Sequence, residues 1–365
     1  MRVLIAAAGT GGHIYPGIAV AKEIMRRDPQ AEVRFVGTAR GLENRLVPPA
    51  GFALTLIESS GLKNVCTLAR VRGLAVLPKS FRAARRLIKA FQPDVIVGAG
   101  GYVSGPVVLT AALMRRPTLV MESNALPGWT NRRLARFVNK AAVSFEAALP
   151  YFRGKAVVTG NPVRREFFAI PAKQRDPAQF SVLVFGGSQG AHAINEAMVE
   201  ALPHLEAFRG VLSVTHQTGA ADFERVNQGY LKAGWSESAD VRGYIDDMVA
   251  SFAKADLVVS RAGATTTAEL IAAGKASIVI PFPLAADDHQ RKNAEALEAA
   301  GAGRMIVQQD LTGEKLASQI ATLLREPATL NKMEQAARAL VKGDAASAAV
   351  DLIEGLARKG QRAKS

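Results

Sequence analysis

The stretch from Ala8 to Gly17, which reads AGTGGHIYPG, is the feature that most constrains the fold of this chain. It follows the apolar run Val3–Ala7 and precedes a helix-like run, Ile18–Met25. Glycines at a strand-to-helix turn let backbone N–H groups approach an anion, and the N-terminus of the helix adds a partial positive charge. The pattern predicts an α/β unit that begins with an anion-binding turn.

Two further turns have the same design. Residues 94–98 form a predicted strand that leads into the glycine-rich segment Gly100–Pro106, and Phe180–Phe185 is a predicted strand that leads into Gly186–Ala191. One such loop is weak evidence, whereas three in one chain are much stronger. Because the first and third loops each open a long alternation of strands and helices, we expect two similar nucleotide-binding halves.

Short apolar runs separated by helical stretches continue along the chain, which favours parallel sheets covered by helices on both faces. The predicted fold class is therefore α/β, with a parallel sheet in each of the two halves. The other predicted strands are Val33–Val36, Leu54–Ile57, Thr118–Met121, Leu212–Thr215, Leu257–Val259 and Ser277–Ile280, and the apolar runs Val95–Val97 and Val182–Phe185 lie within the two strands already named.

The length of 365 residues favours two domains, each large enough for its own core. Turn formers and charges cluster at Gly160–Arg164 and between Pro171 and Pro177, where we place the linker. The expected divisions are an N-terminal domain, a C-terminal domain, and a C-terminal helix with a basic tail that can pack back on the first domain; these are residues 1–161, 162–340 and 341–365.

Composition excludes several classes of protein. A hydrophobic content of 48% with 21% charged residues is typical of a globular protein. The longest apolar candidate, Val107–Met114, is shorter than the ~20 residues that span a bilayer. The N-terminus resembles a signal peptide, but its short apolar run continues into the glycine loop, which favours a first strand. The single cysteine, Cys66, excludes an internal disulfide framework, and we expect a cytoplasmic protein.

The formal net charge of +14 favours anionic partners, namely nucleic acid, an acidic lipid surface or a phosphorylated substrate. Nucleic acid is the weakest of these and is not expected, because aromatic residues make up only 6% of the chain and no recognised binding motif is present. The alternative is that the charge serves general solubility without a dedicated partner.

The first glycine loop does not fit a dinucleotide cofactor. In Gly9-x-Gly11-x-x-Ile14 the third glycine of the dinucleotide pattern is missing, and the second strand ends in Val36-Gly37-Thr38 without an acidic residue for a ribose diol. We therefore expect no NAD or FAD, and no cofactor.

Two residues in these turns suggest chemistry. His13 lies in the crest of the first loop, where an imidazole could take a proton from a substrate hydroxyl near neutral pH. The alternative for His13 is helix capping or packing under the loop. Glu269 follows a turn of small and hydroxylated residues at 260–267, where its carboxylate could accept hydrogen bonds from a ribose diol. Its alternative role is compensation of the helix dipole.

The segment Lys79–Phe91 is amphipathic at helical spacing, with apolar residues on one face and Arg82, Arg85, Arg86 and Lys89 on the other. The simple interpretation is a helix packed on a sheet with its basic face in water. The preceding apolar segment, which ends at Pro78, could instead dip into the headgroup region of a membrane. The predicted docking patch on an anionic membrane surface consists of Leu74, Leu77, Phe81, Arg82, Arg85 and Arg86.

Seven motifs occur in order along the chain. They are GTGGH at 9–13 with PG at 16–17, GGYVSGP at 100–106, ESN at 122–124, GNPVR at 160–164, GGSQGA at 186–191, RAGATTTAE at 261–269, and PFP at 281–283 with DDHQ at 287–290. Taken together, these motifs resemble those of the MurG family, the peripheral-membrane N-acetylglucosaminyltransferases of peptidoglycan synthesis. The motifs run from Gly9 to Asn293 and cover nearly the whole chain, which makes the resemblance specific.

The resemblance implies a GT-B glycosyltransferase in which two Rossmann-like domains with parallel sheets face each other across a cleft. It implies transfer of N-acetylglucosamine from UDP-N-acetylglucosamine to undecaprenyl-pyrophosphoryl-N-acetylmuramoyl pentapeptide, a lipid-linked acceptor, with inversion at the anomeric carbon. It also implies a peripheral protein on the cytoplasmic face of the cell membrane.

The resemblance also implies site residues. Glu269 would hold the ribose hydroxyls, Ile245 would lie near the uracil, and Gln290 would contact the nucleotide sugar. Ala8 stands where many relatives carry another glycine, and His289 precedes Gln290 where some carry glutamine, so the last assignment is uncertain by one position. The full donor-binding set is Thr10, Gly11, Gly12, Asn124, Arg164, Ser188, Ile245, Ala264, Thr265, Thr266, Thr267, Ala268, Glu269 and Gln290, and the acceptor pyrophosphate would contact Gly12, Gly100, Gly101, Tyr102 and Ser104.

The expected mechanism is direct displacement with His13 as the base. Helix N-termini at Ser188 and Ala264, with Arg164, would stabilise the leaving diphosphate, and no metal ion is expected because the donor-binding stretches lack Asp-x-Asp. Three other functions stay open: a glycosyltransferase with a different lipid acceptor, a UDP-sugar epimerase of the same architecture, and a non-enzymatic nucleotide-sugar sensor, which would need no base.

Overall fold

The computed structural model describes residues 1–9, 11–39, 41–59, 67–124, 126–187, 189–285, 288–341 and 343–362, with the side chains of 67–75 and 361–362 left out. The chain forms two compact units, of which unit 1 comprises Met1–Arg164 and Gly343–Ser365 and unit 2 comprises Arg165–Lys342. The predicted division at 161/162 therefore lies slightly before the observed one, and the C-terminal segment is part of unit 1.

Unit 1 is a parallel sheet of seven strands within the described residues, in the order β3-β2-β1-β4-β5-β6-β7. Its strands are β1 Arg2–Ala7, β2 Glu32–Gly37, β3 Ala53–Leu56, β4 Val95–Gly100, β5 Thr118–Glu122, β6 Lys140–Val143 and β7 Ala156–Val158. Its helices are α1 Gly11–Arg27, α2 Glu43–Leu46, α3 Thr67–Phe91, α4 Ser104–Leu113, α5 Trp129–Leu134 and, after unit 2, α14 Ala345–Arg362.

Unit 2 has six described parallel strands in the order β10-β9-β8-β11-β12-β13. These strands are β8 Phe180–Phe185, β9 Leu212–Gln217, β10 Ala239–Arg242, β11 Leu257–Ser260, β12 Ser277–Val279 and β13 Gly303–Met305. The helices are α6 Arg165–Phe168, α7 His192–Ala201, α8 Phe223–Lys232, α9 Met248–Lys254, α10 Ala264–Ala273, α11 His289–Ala299, α12 Gly313–Arg325 and α13 Pro327–Ala339.

The strand order gives each sheet one switch point, where the chain changes the direction in which it adds strands. This point lies between β1 and β4 in unit 1 and between β8 and β11 in unit 2. In open parallel sheets, ligands bind outside the carboxyl ends of the strands at such a point. The loops that follow β1, β4, β8 and β11 are therefore the places where the topology favours a site, and all four were selected as motifs from the sequence.

The C-terminal helix α14 packs on α1 of unit 1. Val350 and Ile353 are fully buried in the core cluster that also contains Ile14 and Ile24 of α1. Arg27 of α1 donates hydrogen bonds to the Asp351 carboxylate, at 2.6 Å, and to the Ser347 carbonyl, at 3.0 Å. Apolar burial and these polar contacts together explain why a segment distant in sequence belongs to the first unit.

Candidate active site

The first glycine loop is shorter than the sequence suggested. Helix α1 begins at Gly11, so Gly11, Gly12 and His13 lie in its first turn, and the expectation that His13 sits in the crest of the loop is wrong. The N-terminus of a helix carries a partial positive charge that favours an anion, so an anion-binding role for this turn stays a prediction. Thr10 lies outside the described residues.

His13 is half-buried, and its ring lies against the second glycine loop. Burial lowers the pKa of His13 below its ordinary value of 6.5, while the negative charge of Glu122 and a hydrogen bond to the Ala99 carbonyl raise it by less. The imidazole is therefore neutral at pH 7. Because one ring N–H donates to Ala99, the other ring nitrogen is the acceptor, which is the form that a general base requires.

Only glycine fits at position 100, because the ring of His13 lies against the backbone there. Gly100 has a φ of +120°, and a Cβ built there would lie 2.2 Å from Nδ1 of His13. The second glycine loop is stabilised by the buried side chain of Ser104, which is 1% exposed. Its hydroxyl accepts from the Gly100 N–H at 3.0 Å and lies 2.8 Å from the Ala6 carbonyl oxygen. Ser104 thus supports the loop, whereas Tyr102, 57% exposed, presents its side chain to solvent.

Glu43 is a buried carboxylate that the sequence analysis missed. It is fully buried, and it accepts hydrogen bonds from the Gly9 N–H at 3.0 Å, the Thr38 N–H at 2.7 Å and the Thr38 hydroxyl at 2.9 Å. These contacts tie the end of β1 to the end of β2. Because both carboxylate oxygens accept these hydrogen bonds, Glu43 stabilises the first glycine loop.

A second buried carboxylate orients Asn124. Glu122, at the end of β5, accepts from the Asn124 N–H at 3.0 Å and from its side-chain amide at 3.1 Å. The other Glu122 oxygen accepts from the Gly128 N–H and the Asn131 amide, both at 2.9 Å. Elsewhere in unit 1, the guanidinium of Arg164 stacks over the Tyr15 ring at 4.6 Å.

In unit 2, the loop after β8 passes close to the end of β9. A Cβ at Gly190, whose φ is +76°, would lie 1.8 Å from the Thr218 carbonyl oxygen, so only glycine fits there. Helix α7 begins at His192, and the expectation of a helix N-terminus at Ser188 is therefore wrong. Ser188 itself lies outside the described residues.

Helix α10 begins at Ala264, as predicted, immediately after β11. Its N-cap is Gly263, which has no side chain that could cap the helix. Such an N-terminus attracts an anion. Ala264, Thr265, Thr266 and Ala268 are half-buried, whereas Thr267 and Glu269 are 5% and 7% exposed.

Two other predicted donor contacts are also engaged within unit 2. Ile245 is 3% exposed, and its N–H donates to the Gln217 side chain at 2.8 Å. Gln290, in the first turn of α11, accepts from the Phe282 N–H at 3.0 Å. Arg261, which the sequence analysis did not select, donates to the Ile280 carbonyl at 3.2 Å, and burial lowers its pKa to about 10, so that it stays charged at pH 7.

The amphipathic helix α3 mainly packs on unit 1. Ala84, Ile88 and Phe91 are buried in a core cluster, Leu77, Phe81 and Leu87 are half-buried, and Arg82, Arg85 and Arg86 are exposed. Pro78 lies inside this helix, so the expectation of a separate apolar segment that ends at the proline is wrong. The side chain of Leu74 lies outside the described residues.

Within the described part of the chain, no cluster of three or more His, Cys, Asp or Glu side chains could hold a metal ion. Among the described helices, none combines the length and the apolar character that crossing a bilayer would require.

These two units, with a glycine loop at each switch point, have the GT-B fold of nucleotide-sugar glycosyltransferases. The chain belongs to glycosyltransferase family 28, because the N-terminal domain model of this family matches residues 3–143 and the C-terminal domain model matches residues 181–353. Within the family it belongs to the MurG N-acetylglucosaminyltransferases, because curated members of that group are nearly half identical to it over almost the whole chain.

One similar protein is the UDP-N-acetylglucosamine--N-acetylmuramyl-(pentapeptide) pyrophosphoryl-undecaprenol N-acetylglucosamine transferase of Citrifermentans bemidjiense, 49% identical over 96% of this chain and 98% of the relative. The Geobacter sulfurreducens protein of the same name is 46% identical over 98% of this chain and 100% of its own.

Among solved structures, Acinetobacter baumannii MurG is 32% identical, with a TM-score of 0.75 over 97% of this chain and 99% of its own. A UDP-GlcNAc 2-epimerase from Neisseria meningitidis reaches a TM-score of 0.67 over 97% of this chain and 100% of its own. At 15% identity, this second likeness shows the fold alone.

Proposed function

We propose that the protein transfers N-acetylglucosamine from UDP-N-acetylglucosamine to an undecaprenyl-pyrophosphoryl-linked N-acetylmuramoyl pentapeptide. The observation that carries the proposal is the neutral imidazole of His13, which is held by a hydrogen bond to Ala99 at the switch point of unit 1. A transferase needs such a base, whereas a nucleotide-sugar sensor does not. The curated relatives named for this reaction support the choice of donor and acceptor.

The chemistry is a single displacement at the anomeric carbon. The acceptor 4-hydroxyl forms the new O–C1 bond as its proton moves to the acceptor nitrogen of His13, and the C1–O bond to UDP breaks with inversion. The departing diphosphate gains charge, which the partial positive charge at the N-terminus of α10 is suited to stabilise. In this proposal unit 2 binds the uridine diphosphate, with Glu269 on the ribose and Ile245 near the base.

Unit 1 binds the acceptor in this proposal. The pyrophosphate would contact Gly12, Gly100 and Gly101, and Tyr102 is exposed beside them. The N–H of Gly100 already donates to the Ser104 hydroxyl, so Gly100 would line the site without donating. Gly11, Gly12, Asn124 and Arg164 remain predicted donor contacts. Glu122 supports the prediction for Asn124, because it fixes the amide in one orientation.

Incubation of the protein with labelled UDP-N-acetylglucosamine and a lipid-linked acceptor analogue tests the proposal. We expect labelled disaccharide on the lipid. The His13→Ala variant should lower kcat by roughly 10²–10⁴ while UDP still binds, if His13 is the base. Near-normal turnover of this variant would assign His13 to packing, and a change confined to the acceptor KM would make it a binding residue.

The same incubation separates the competing functions. An epimerase would convert the labelled donor to a second UDP-sugar without any acceptor, and a sensor would bind UDP-N-acetylglucosamine without releasing UDP. Transfer to another lipid-linked sugar in preference to the N-acetylmuramoyl acceptor would keep the enzyme class and refute the substrate.

We further propose that unit 1 docks on the anionic cytoplasmic face of the membrane, through the exposed arginines of α3 and the apolar side chains beside them. Helix α4 packs between α3 and α5, and it adds Leu113, 69% exposed. On α5, Trp129 is 46% exposed and lies 5.3 Å from the guanidinium of Arg133. Exposed apolar side chains together with cations are suited to the headgroup region.

Co-sedimentation with vesicles rich in anionic lipid tests the docking surface. Each arginine near such a leaflet contributes roughly 1 kcal/mol, so the Arg82/Arg85/Arg86→Glu variant should bind at least about a hundredfold more weakly at equal salt. The matched control reverses three exposed lysines of unit 2, Lys232, Lys315 and Lys332. Equal binding by the arginine variant and the parent would refute the proposal.

A further inference from the structure

One buried side chain in unit 2 connects two of the predicted donor-binding segments. Gln217 is the last residue of β9 and is 2% exposed. Its amide nitrogen donates to the Gly187 carbonyl at 2.8 Å, and its amide oxygen accepts from the Ile245 N–H at 2.8 Å. The side-chain amide of Gln217 therefore makes one hydrogen bond as a donor and one as an acceptor.

The two residues that Gln217 joins both lie outside the helices and strands. Gly187 lies in the loop between β8 and α7, and Ile245 lies in the loop between β10 and α9. The Gly187 carbonyl also accepts from the Gly190 N–H at 3.0 Å, so the amide of Gln217 completes the contacts of a tight turn. No sheet ladder pairs the two loops among their described residues, and their separation is set in part by the length of the Gln217 side chain.

We infer that Gln217 is a positioning residue for the nucleotide: it fixes the loop that faces the diphosphate relative to the segment that faces the base. The inference rests on the proposed function, in which unit 2 binds uridine diphosphate. The base and the diphosphate of a nucleotide are joined by a ribose of fixed size, so two protein segments that bind them must be held at a matching distance. A site that is ordered before binding avoids the cost of ordering those loops when the nucleotide arrives.

The side chain of Gln217 need not touch the nucleotide for this role, and its position predicts a particular kinetic signature. Donor binding should weaken when the bridge is removed, whereas the chemical step, which depends on His13 and on the acceptor, should change little. A residue that served only the stability of unit 2 would lower the unfolding temperature without a selective effect on nucleotide affinity.

Two variants separate the two hydrogen bonds. Gln217→Met keeps the approximate length of the side chain and removes both bonds. Gln217→Glu keeps the acceptor for the Ile245 N–H but cannot donate to the Gly187 carbonyl, and it places a carboxylate beside that oxygen. Val214→Ala is the matched control, because Val214 lies on the same strand, is 1% exposed in the core, and does not contact either loop through a side-chain hydrogen bond.

The experiment measures the UDP dissociation constant by calorimetry, the donor KM and kcat with the acceptor analogue, and the unfolding temperature of the full chain. We expect Gln217→Met and Gln217→Glu to raise the UDP dissociation constant and the donor KM by roughly threefold to tenfold, since loops released from this bridge have to be ordered when the nucleotide binds. We expect kcat to stay within about threefold, and Val214→Ala to lower the unfolding temperature with UDP affinity unchanged.

Parental UDP affinity in both Gln217 variants, or an equal loss of affinity in Val214→Ala, would overturn the inference while the proposed function stands. If the parent itself fails to bind UDP, the proposed function falls and the inference falls with it. Should Gln217→Met fail to fold, Gln217→Glu, which keeps one of the two bonds, decides the question through the same dissociation constant.

Discussion

The Gly100→Ala variant tests whether the position of the His13 ring controls catalysis. The added Cβ would lie 2.2 Å from Nδ1 of His13, whereas ordinary contacts begin at 3.4 Å, so the ring must move by more than 1 Å. A displacement of about 1 Å in a catalytic group can cost about 10²-fold in rate. The upper limit is the loss of the base altogether, roughly 10⁴-fold. The φ of +120° at Gly100 adds backbone strain of about 1–3 kcal/mol, so a lower unfolding temperature is expected as well.

The assay measures kcat under saturating donor and acceptor, with UDP affinity by calorimetry as a check on unit 2. Gly105→Ala is the control, since its Cβ would meet only the Thr130 methyl group at 3.3 Å and it lies in helix α4. If Gly100→Ala acts through His13, the double variant with His13→Ala should be no slower than His13→Ala alone. Turnover close to that of Gly105→Ala, or losses that multiply in the double variant, would refute the reasoning.

Three other outcomes are expected. Glu269→Ala should raise the UDP dissociation constant tenfold to a hundredfold, about 1.5–3 kcal/mol for a charge-assisted pair, and unchanged affinity by calorimetry would remove Glu269 from the site. Burial lowers the pKa of His13 from 6.5, so kcat/KM should stay constant as the pH falls from about 8 to 6.5 and should decline only below that value. A decline centred above pH 6.5 would contradict the buried environment described for the ring. Burial also lowers the pKa of Lys275 to about 8 from 10.5, so the folded chain binds fewer protons than the unfolded chain between those values, and the free energy of unfolding should rise with pH there by up to about 1.4 kcal/mol per unit. In Lys275→Met, the free energy of unfolding measured by chemical denaturation should not increase with pH in this range. The same increase in the variant as in the parent would refute the prediction.

The sequence by itself determined the elements that depend on local pattern. The strands at the centre of each sheet are continuous apolar runs, because both faces of a parallel sheet are covered, and β1, β4, β5, β8 and β11 lie where those runs predicted them. The start of α10 after the Gly263 turn was also predicted, since a glycine before a run of small residues is a local signal. Family membership followed from motifs that are contiguous in the sequence, and the comparisons confirm it.

Strands that the sequence analysis missed are short or lack the residues typical of strands. The strands β7, β10 and β13 are three or four residues long and lie at sheet edges, and β6 reads KAAV, with two alanines. Such segments become strands because a neighbouring strand offers them hydrogen-bond partners. The start of α1 at Gly11 was missed for a similar reason, since glycine is a poor helix former and only the packing of the unit stabilises a helix there.

Contacts between residues distant in sequence required the tertiary structure. Glu43 bonds to Gly9, and Gln217 bonds to Gly187 and Ile245, through pairings that no local pattern encodes. The burial of His13 against Gly100 sets its protonation, and the packing of α14 on α1 assigns the end of the chain to unit 1. The sequence thus identified the loops to which we assign the chemistry in our proposal. The strand order brought β1 beside β4 and β8 beside β11 and so decided which of those loops are neighbours. The physical reason is that local pattern reports the burial of each segment, while the choice of neighbour depends on how the whole sheet is assembled.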